Sequence, residues 1–188
     1  KEGGLTTVTN IENFWKAALD WTPETDRKTF DGNLKGSVEF LNALVEGDGD
    51  PAVHVQIVRG AGSCFSAGYE LGGGNEGQEL PYYTAGGDGH WPRHVTSGWM
   101  SIWDLAKPVI AQVHGYCLAG GSELATGCDL VYCAEDAKIG YPAVRFGVPD
   151  MHFHAWLVGM RMAMEMMVTG DSISGVEAAQ LGWATRCV

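Results

Sequence analysis

Residues 114–125 read HGYCLAGGSELA and place one carboxylate, Glu123, among small and apolar side chains directly after the strand-like run PVIAQV (108–113). Taken as the first turn of a helix, AGGSE presents backbone N–H groups that have no acceptor within the helix. The helix dipole makes that end favourable for developing negative charge. Gly120 and Gly121 carry no side chain that would hold a ligand off the backbone. Glu123 follows Gly120 by three residues, so it shares that helix face about 4.5 Å further along the axis. An anion-binding N–H and a proton-transferring carboxylate would then meet one substrate. The same residues also fit a solvent-facing Glu that only complements the dipole.

A second stretch has a similar outline. VRGAGSCFSAGYEL (58–71) and VHGYCLAGGSEL (113–124) each run from an apolar strand through a basic residue and glycine to A-G and then E-L. Both lead a strand end into a glycine turn, where backbone N–H groups can face a ligand.

The elements that would position these turns alternate between strand and helix. Asp31 reads as an N-cap, with Leu34, Val38, Leu41 and Val45 at helical spacing until GDGDP (47–51) ends the helix. VHVQIV (53–58), PVIAQVHG (108–115) and LVYCAE (130–135) read as buried strands. The glycine-rich stretch 72–96, with His90, Trp91 and His94, reads as a long surface loop or lid. A helix over 97–105 would bring Trp99, Ile102 and Trp103 to one side. A further helix spans 152–169, and SGVEAAQLG (174–182) carries a capping box, Ser174 with Glu177, and a glycine stop. The alternation predicts an α/β architecture with largely parallel pairing.

The chain has 188 residues, 45% hydrophobic and 19% charged, which fits one globular domain over 1–188. Its net charge of −11 argues against a nucleic-acid or anionic-membrane surface. A phosphate-bearing small ligand needs only a few cations, for which Arg27, Lys28, Arg59 and Lys107 are the scattered candidates. Five cysteines without a C-x-x-C pair suit reduced thiols in a cytoplasmic protein. No leader-like segment and no apolar run near the ~20 residues of a membrane span is visible.

Three blocks together carry a family resemblance: GAGSCFSAGYEL (60–71), KPVIAQVHGYCLAGGSELATGCDLVYCAEDAKIGYP (107–142) and TGDSISGVEAAQLGWATR (169–186). They resemble the enoyl-CoA hydratase/isomerase, or crotonase, superfamily. TPETDRKTFDGNL (22–34) is similar more loosely. The resemblance implies a spiral of ββα units, assembled as homotrimers or hexamers, acting on coenzyme A thioesters without a further cofactor or a metal. It implies that the thioester oxygen is held by the N–H groups of Tyr69 and Gly120, with Glu123 as general acid/base. Ala67, Gly68, Gly121, Tyr141 and Ala143 fall at substrate-binding positions, and Arg27 and Lys28 near the nucleotide end. Family members continue past the position matching Val188 into trimerisation helices, which the resemblance implies that residues 1–188 lack.

One position departs from that pattern. The family's second catalytic glutamate would follow Pro142, and Ala143 stands there in IGYPAVRFG. A lone carboxylate suits a proton shift more readily than water addition. VPDMHFHAW (148–156) offers replacements: Asp150, His152 and His154. Asp150 equally fits a helix cap, and the two histidines equally fit surface or hydrogen-bonded positions. A crotonase-type hydrolase or retro-Claisen C–C lyase using Asp150 or His152 is the alternative enzyme, and a non-catalytic CoA-binding or assembly subunit the alternative without chemistry. Trp91, Trp99, Met100 and Trp103 fit either a bulky acyl pocket or the core. Glu70 beside Tyr69 reads as structural.

Overall fold

The computed structural model describes residues 4–8, 40–68, 97–146 and 154–188. Asp31, Arg27, Lys28, Tyr69, Glu70, the 72–96 loop with His90, Trp91 and His94, and Asp150 and His152 lie outside the described residues.

Strand β1 (Gly4–Val8) precedes helix α1, which occupies residues 40–49. Strand β2 (Val53–Arg59), helix α2 (Ser97–Met100) and a 3₁₀ turn (Ser101–Asp104) follow. Next come β3 (Val109–Val113), β4 (Tyr116–Leu118), α3 (Gly120–Gly127), β5 (Leu130–Cys133) and β6 (Lys138–Gly140). A second 3₁₀ turn (Pro142–Phe146), α4 (His154–Thr169), β7 (Ser172–Ser174), α5 (Gly175–Leu181) and β8 (Arg186–Cys187) complete the order.

The three apolar runs form the centre of a five-stranded sheet of order β1-β2-β3-β5-β8, parallel at every pairing. Alternation along β3 sends Val109, Ala111 and Val113 into the core while Gln112 stays exposed. Val58, Val131 and Cys133 join them from the neighbouring strands. Against this face pack Phe65, Leu124, Ile139, Met166 and Trp183. A smaller sheet holds β4, β6 and β7, with β4–β6 parallel and β6–β7 antiparallel. The architecture is thus the mixed α/β fold with a parallel sheet that the strand–helix alternation predicts.

The two sheets are linked turn by turn. A strand of the large sheet ends, the chain turns, and the next few residues join the small sheet before a helix begins, as in β3–β4–α3. The same step recurs after β2, where Ser66 makes an isolated parallel bridge to Cys117, and after β5, which leads to β6. Successive turns bond to one another: Phe65 N–H to His114 O at 2.8 Å, Leu118 N–H to Ser66 O at 2.9 Å and Lys138 N–H to Gly115 O at 2.7 Å. The sequence echo between 58–71 and 113–124 therefore has a structural counterpart in two adjacent turns of one repeating unit.

Three local expectations change. The 97–105 segment is one α-turn followed by a 3₁₀ turn, so residues three apart eclipse. Trp99 and Ile102 are buried together, with Trp99 edge-on to Phe40 at 6.4 Å, while Trp103 and Met100 face outward. Helix α4 is broken at Gly159, whose φ of 77° and ψ of 156° are not helical. Its buried residues are His154, Ala163 and Met166, while Trp156 is 87% exposed. Lys107 is already committed: its Nζ donates to Gly47 O at 2.9 Å and to Asp50 O, closing the C-terminal end of α1. Among the described residues no helix is long and apolar enough to cross a membrane.

The capping box of α5 forms as its sequence predicts. Ser174 Oγ accepts from Glu177 N–H at 3.2 Å, and Glu177 Oε2 accepts from Ser174 N–H at 2.7 Å. These bonds, from the Ser174 backbone first and its hydroxyl second, hold the Glu177 carboxyl below its usual 4.5. A folded-state value below the unfolded one stabilises the fold above the unfolded pKa and is lost as pH falls through the folded value. We expect Ser174→Ala to cost about 1 kcal/mol at neutral pH. Its deficit against the parent should shrink in acid, as read by urea denaturation at several pH values. An equal deficit at all pH values would count against the ionised cap.

Candidate active site

The site begins with the strand-to-helix turn at Ala119. This residue has φ 49° and ψ −124°, a region that non-glycine residues rarely enter. Such a conformation costs of order 1–3 kcal/mol and persists only where its surroundings fix it. Here Ala119 N–H donates to Gly140 O at 3.0 Å on the neighbouring strand. Its carbonyl accepts from Glu123 N–H at 3.0 Å and from Ser122 Oγ at 2.8 Å. The helical ladder thus starts at Glu123, and the N–H groups of Gly120, Gly121 and Ser122 precede it.

The other glycine turn lies directly against this one. Gly68 has φ 98°, and a methyl group on it would meet Ala119 Cβ at 2.7 Å, Leu118 O at 3.0 Å and Gly120 N at 3.4 Å. Its N–H donates to Ser66 Oγ at 3.2 Å. The end of the 60–68 turn therefore packs too closely against Leu118 and Ala119, at the start of α3, to admit a side chain at Gly68, with Ala67 exposed beside it. Gly121 has a different reason for being glycine. A Cβ there would lie 2.5 Å from Ser66 Cβ and 2.7 Å from its carbonyl, so its bare backbone makes room for the neighbouring turn rather than for a ligand.

All eight residues of α3 are buried, Glu123 among them at 3% exposure. The solvent-facing alternative for this carboxylate is overturned by the packing. Burial also keeps water from screening the positive end of the helix, which strengthens its field. Burial raises the Cys117 thiol well above its usual range, with the nearby buried thiols adding to it. Cys133 is pushed up to about 11 by burial first. These thiols stay protonated, packing as small apolar groups rather than serving as nucleophiles.

The group beside Glu123 is His154, the first residue of α4. Its ring is fully buried, and Nδ1 lies 3.7 Å from Glu123 Oε1. Tyr141, buried just after β6, stands edge-on to it at 6.0 Å, and Trp183 lies over it at 6.3 Å. Four segments converge here: α3, the residue after β6, the start of α4 and Trp183, two residues beyond α5. The sequence favours Asp150, then His152, as the replacement group, and gives His154 no special weight. In α4 the histidine is buried while Trp156 is exposed. Ala143 falls in the 3₁₀ turn Pro142–Phe146, close in sequence to Tyr141. Among the described residues no group of three or more His, Cys, Asp or Glu side chains is placed to hold a metal ion.

What the arrangement can do is specific. Backbone donors at a helix start face the end of a second glycine turn, and one turn inside the helix is a carboxylate withdrawn from water. That combination suits an anionic oxygen forming next to a carbon that gains or loses a proton.

Comparison with known proteins agrees with this geometry. The family model described as Enoyl-CoA hydratase/isomerase matches residues 32–188. The chain is 35% identical over 167 residues to the mitochondrial enoyl-CoA hydratase of Pongo abelii, covering 85% of this chain and 54% of that protein. It is 38% identical over 161 residues to the carnitinyl-CoA dehydratase of Salmonella enteritidis, covering 83% of this chain and 59% of that protein. Among solved structures, a probable enoyl-CoA hydratase from Mycobacterium smegmatis superposes with a TM-score of 0.77 at 29% identity, over 100% of this chain and 70% of that one. An enoyl-CoA hydratase/isomerase from Xanthobacter autotrophicus Py2 gives 0.70 at 33% identity, over 84% and 57%. The chain spans little more than half the length of the curated relatives it matches.

Proposed function

The chain belongs to the enoyl-CoA hydratase/isomerase family, and from that premise we propose that it processes acyl-CoA thioesters through an enolate held in a backbone oxyanion hole. The observation that carries this reading is the contact of Gly68 with the start of α3, with Glu123 buried one turn further in. In the proposed step a C–H bond beside the thioester carbonyl breaks and its proton bonds to Glu123. The electron pair moves onto the thioester oxygen. The N–H of Gly120 and that of Tyr69, the residue after Gly68, stabilise the charge, each donor being worth about 3 kcal/mol. In an isomerisation Glu123 returns the proton to the γ-carbon as the double bond shifts. In an elimination the pair forms the double bond, the bond to the β-substituent breaks and the substituent leaves with the proton from Glu123; addition is the reverse.

Under this reading the substrate is carried by coenzyme A itself and no other cofactor takes part. A homotrimer or hexamer in the cytoplasm is the assembly proposed for it, by family likeness. Hydrolysis or C–C cleavage through Asp150 or His152 draws on residues outside those described, and nothing in the site favours it.

The test is direct. The protein is expected to bind CoA thioesters by calorimetry and to turn over members of a panel of 2-enoyl- and 3-enoyl-CoA substrates of increasing chain length. Binding without turnover would leave a CoA-binding subunit. Failure to bind any thioester of the panel would remove the CoA reading altogether.

A further inference from the structure

Resting on the function proposed above, we infer that His154 is the positioning residue that keeps Glu123 ionised and aimed. A carboxylate 3% exposed in an apolar surround is driven toward its neutral, protonated form, which cannot accept a proton. An imidazolium within 4 Å reverses that tendency. His154 Nδ1 stands 3.7 Å from Glu123 Oε1, in a contact that both partners make while buried. With one proton between them the pair has either opposite charges or none. Both are cheaper in a low-dielectric site than a lone buried carboxylate.

The geometry assigns His154 to Glu123 rather than to the substrate. The ring is sealed, at 0% exposure, between Tyr141 on one side and Trp183 on another. Among the described residues, the titratable groups recorded against it are Glu123, from α3, and Tyr141, just after β6. When Glu123 takes the substrate proton, the positive charge on His154 is left facing the newly formed enolate across the site, so the enclosed charges still balance. No bond to His154 forms or breaks.

Two substitutions test this. His154→Phe keeps a ring between Tyr141 and Trp183, and His154→Gln keeps a polar side chain if the first variant folds poorly. For either folded variant, kcat on the best substrate of the enoyl-CoA panel should fall about 100-fold at neutral pH with KM nearly unchanged. The loss should narrow as pH rises and Glu123 ionises without help, a recovery that a purely structural histidine would not give. A kcat within about twofold of the parent, or a deficit equal at every pH, would overturn the inference. The two readings fail separately. Full turnover in Glu123→Gln removes the proposed function. Dead Glu123→Gln beside a fully active His154→Phe removes only the role of His154.

Discussion

Glu123→Gln should reduce turnover of the best enoyl-CoA substrate by about 10³-fold while leaving CoA-thioester binding within a fewfold of the parent. The amide has nearly the same shape, so the packing of α3 and the contact with Gly68 are preserved. What it lacks is the ability to take up a proton. A general acid/base contributes typically 10²–10⁴-fold, and the centre of that range applies because the described part of the site holds no second carboxylate beside His154. Stability is expected to fall most at low pH, where the substitution leaves His154 as a buried imidazolium without its counter-charge. Thermal denaturation and steady-state kinetics on the same preparation separate these effects. Turnover above a tenth of the parent rate would show that Glu123 does not move the proton.

Gly68→Ala has the second largest expected effect, and it acts on the proposed oxyanion hole rather than on the proposed base. Alanine at φ 98° is strained on its own account, and its methyl would press Ala119 Cβ at 2.7 Å and Leu118 O at 3.0 Å. The two turns can relieve this only by separating, which moves apart the donors that must converge on one oxygen. We expect kcat to fall about 100-fold and stability to drop by about 2–3 kcal/mol. The double variant Gly68→Ala, Ala119→Gly removes the opposing methyl and should recover part of both losses. No recovery in the double variant would mean that backbone strain at Gly68, not the contact, dominates. Parent-like turnover in Gly68→Ala would show that the two turns do not form one anion site.

Much of this was written locally in the chain. Apolar runs at 53–58, 108–113 and 130–135 encode strands because burial of alternate residues needs no knowledge of the partner strand. Ser174 and Glu177 encode a helix start because both halves of a capping box lie within one turn. The blocks 60–71, 107–142 and 169–186 were enough to identify the family. The strands β4, β7 and β8 were harder to see. Two or three residues cannot display a period, and only the neighbouring strand makes them strands.

The tertiary structure decided what no local pattern contains. That Gly68 touches the start of α3 follows from how successive turns stack between two sheets, and the sequence offered only the echo of two similar outlines. That Ser66 leaves no room for a side chain at Gly121 gives that glycine a packing reason the sequence did not show, because a missing side chain looks the same whichever neighbour requires it. Trp103 turned outward when one helix became an α-turn and a 3₁₀ turn. Above all, the histidine beside Glu123 lies 31 positions away in a helix whose hydrophobic residues point largely outward. The chain alone determined that a carboxylate follows a glycine turn and that its usual companion position is alanine. Only the long-range meeting of the first residue of α4 with α3 put an imidazole next to the carboxylate, and only the folded surroundings of α3 buried it.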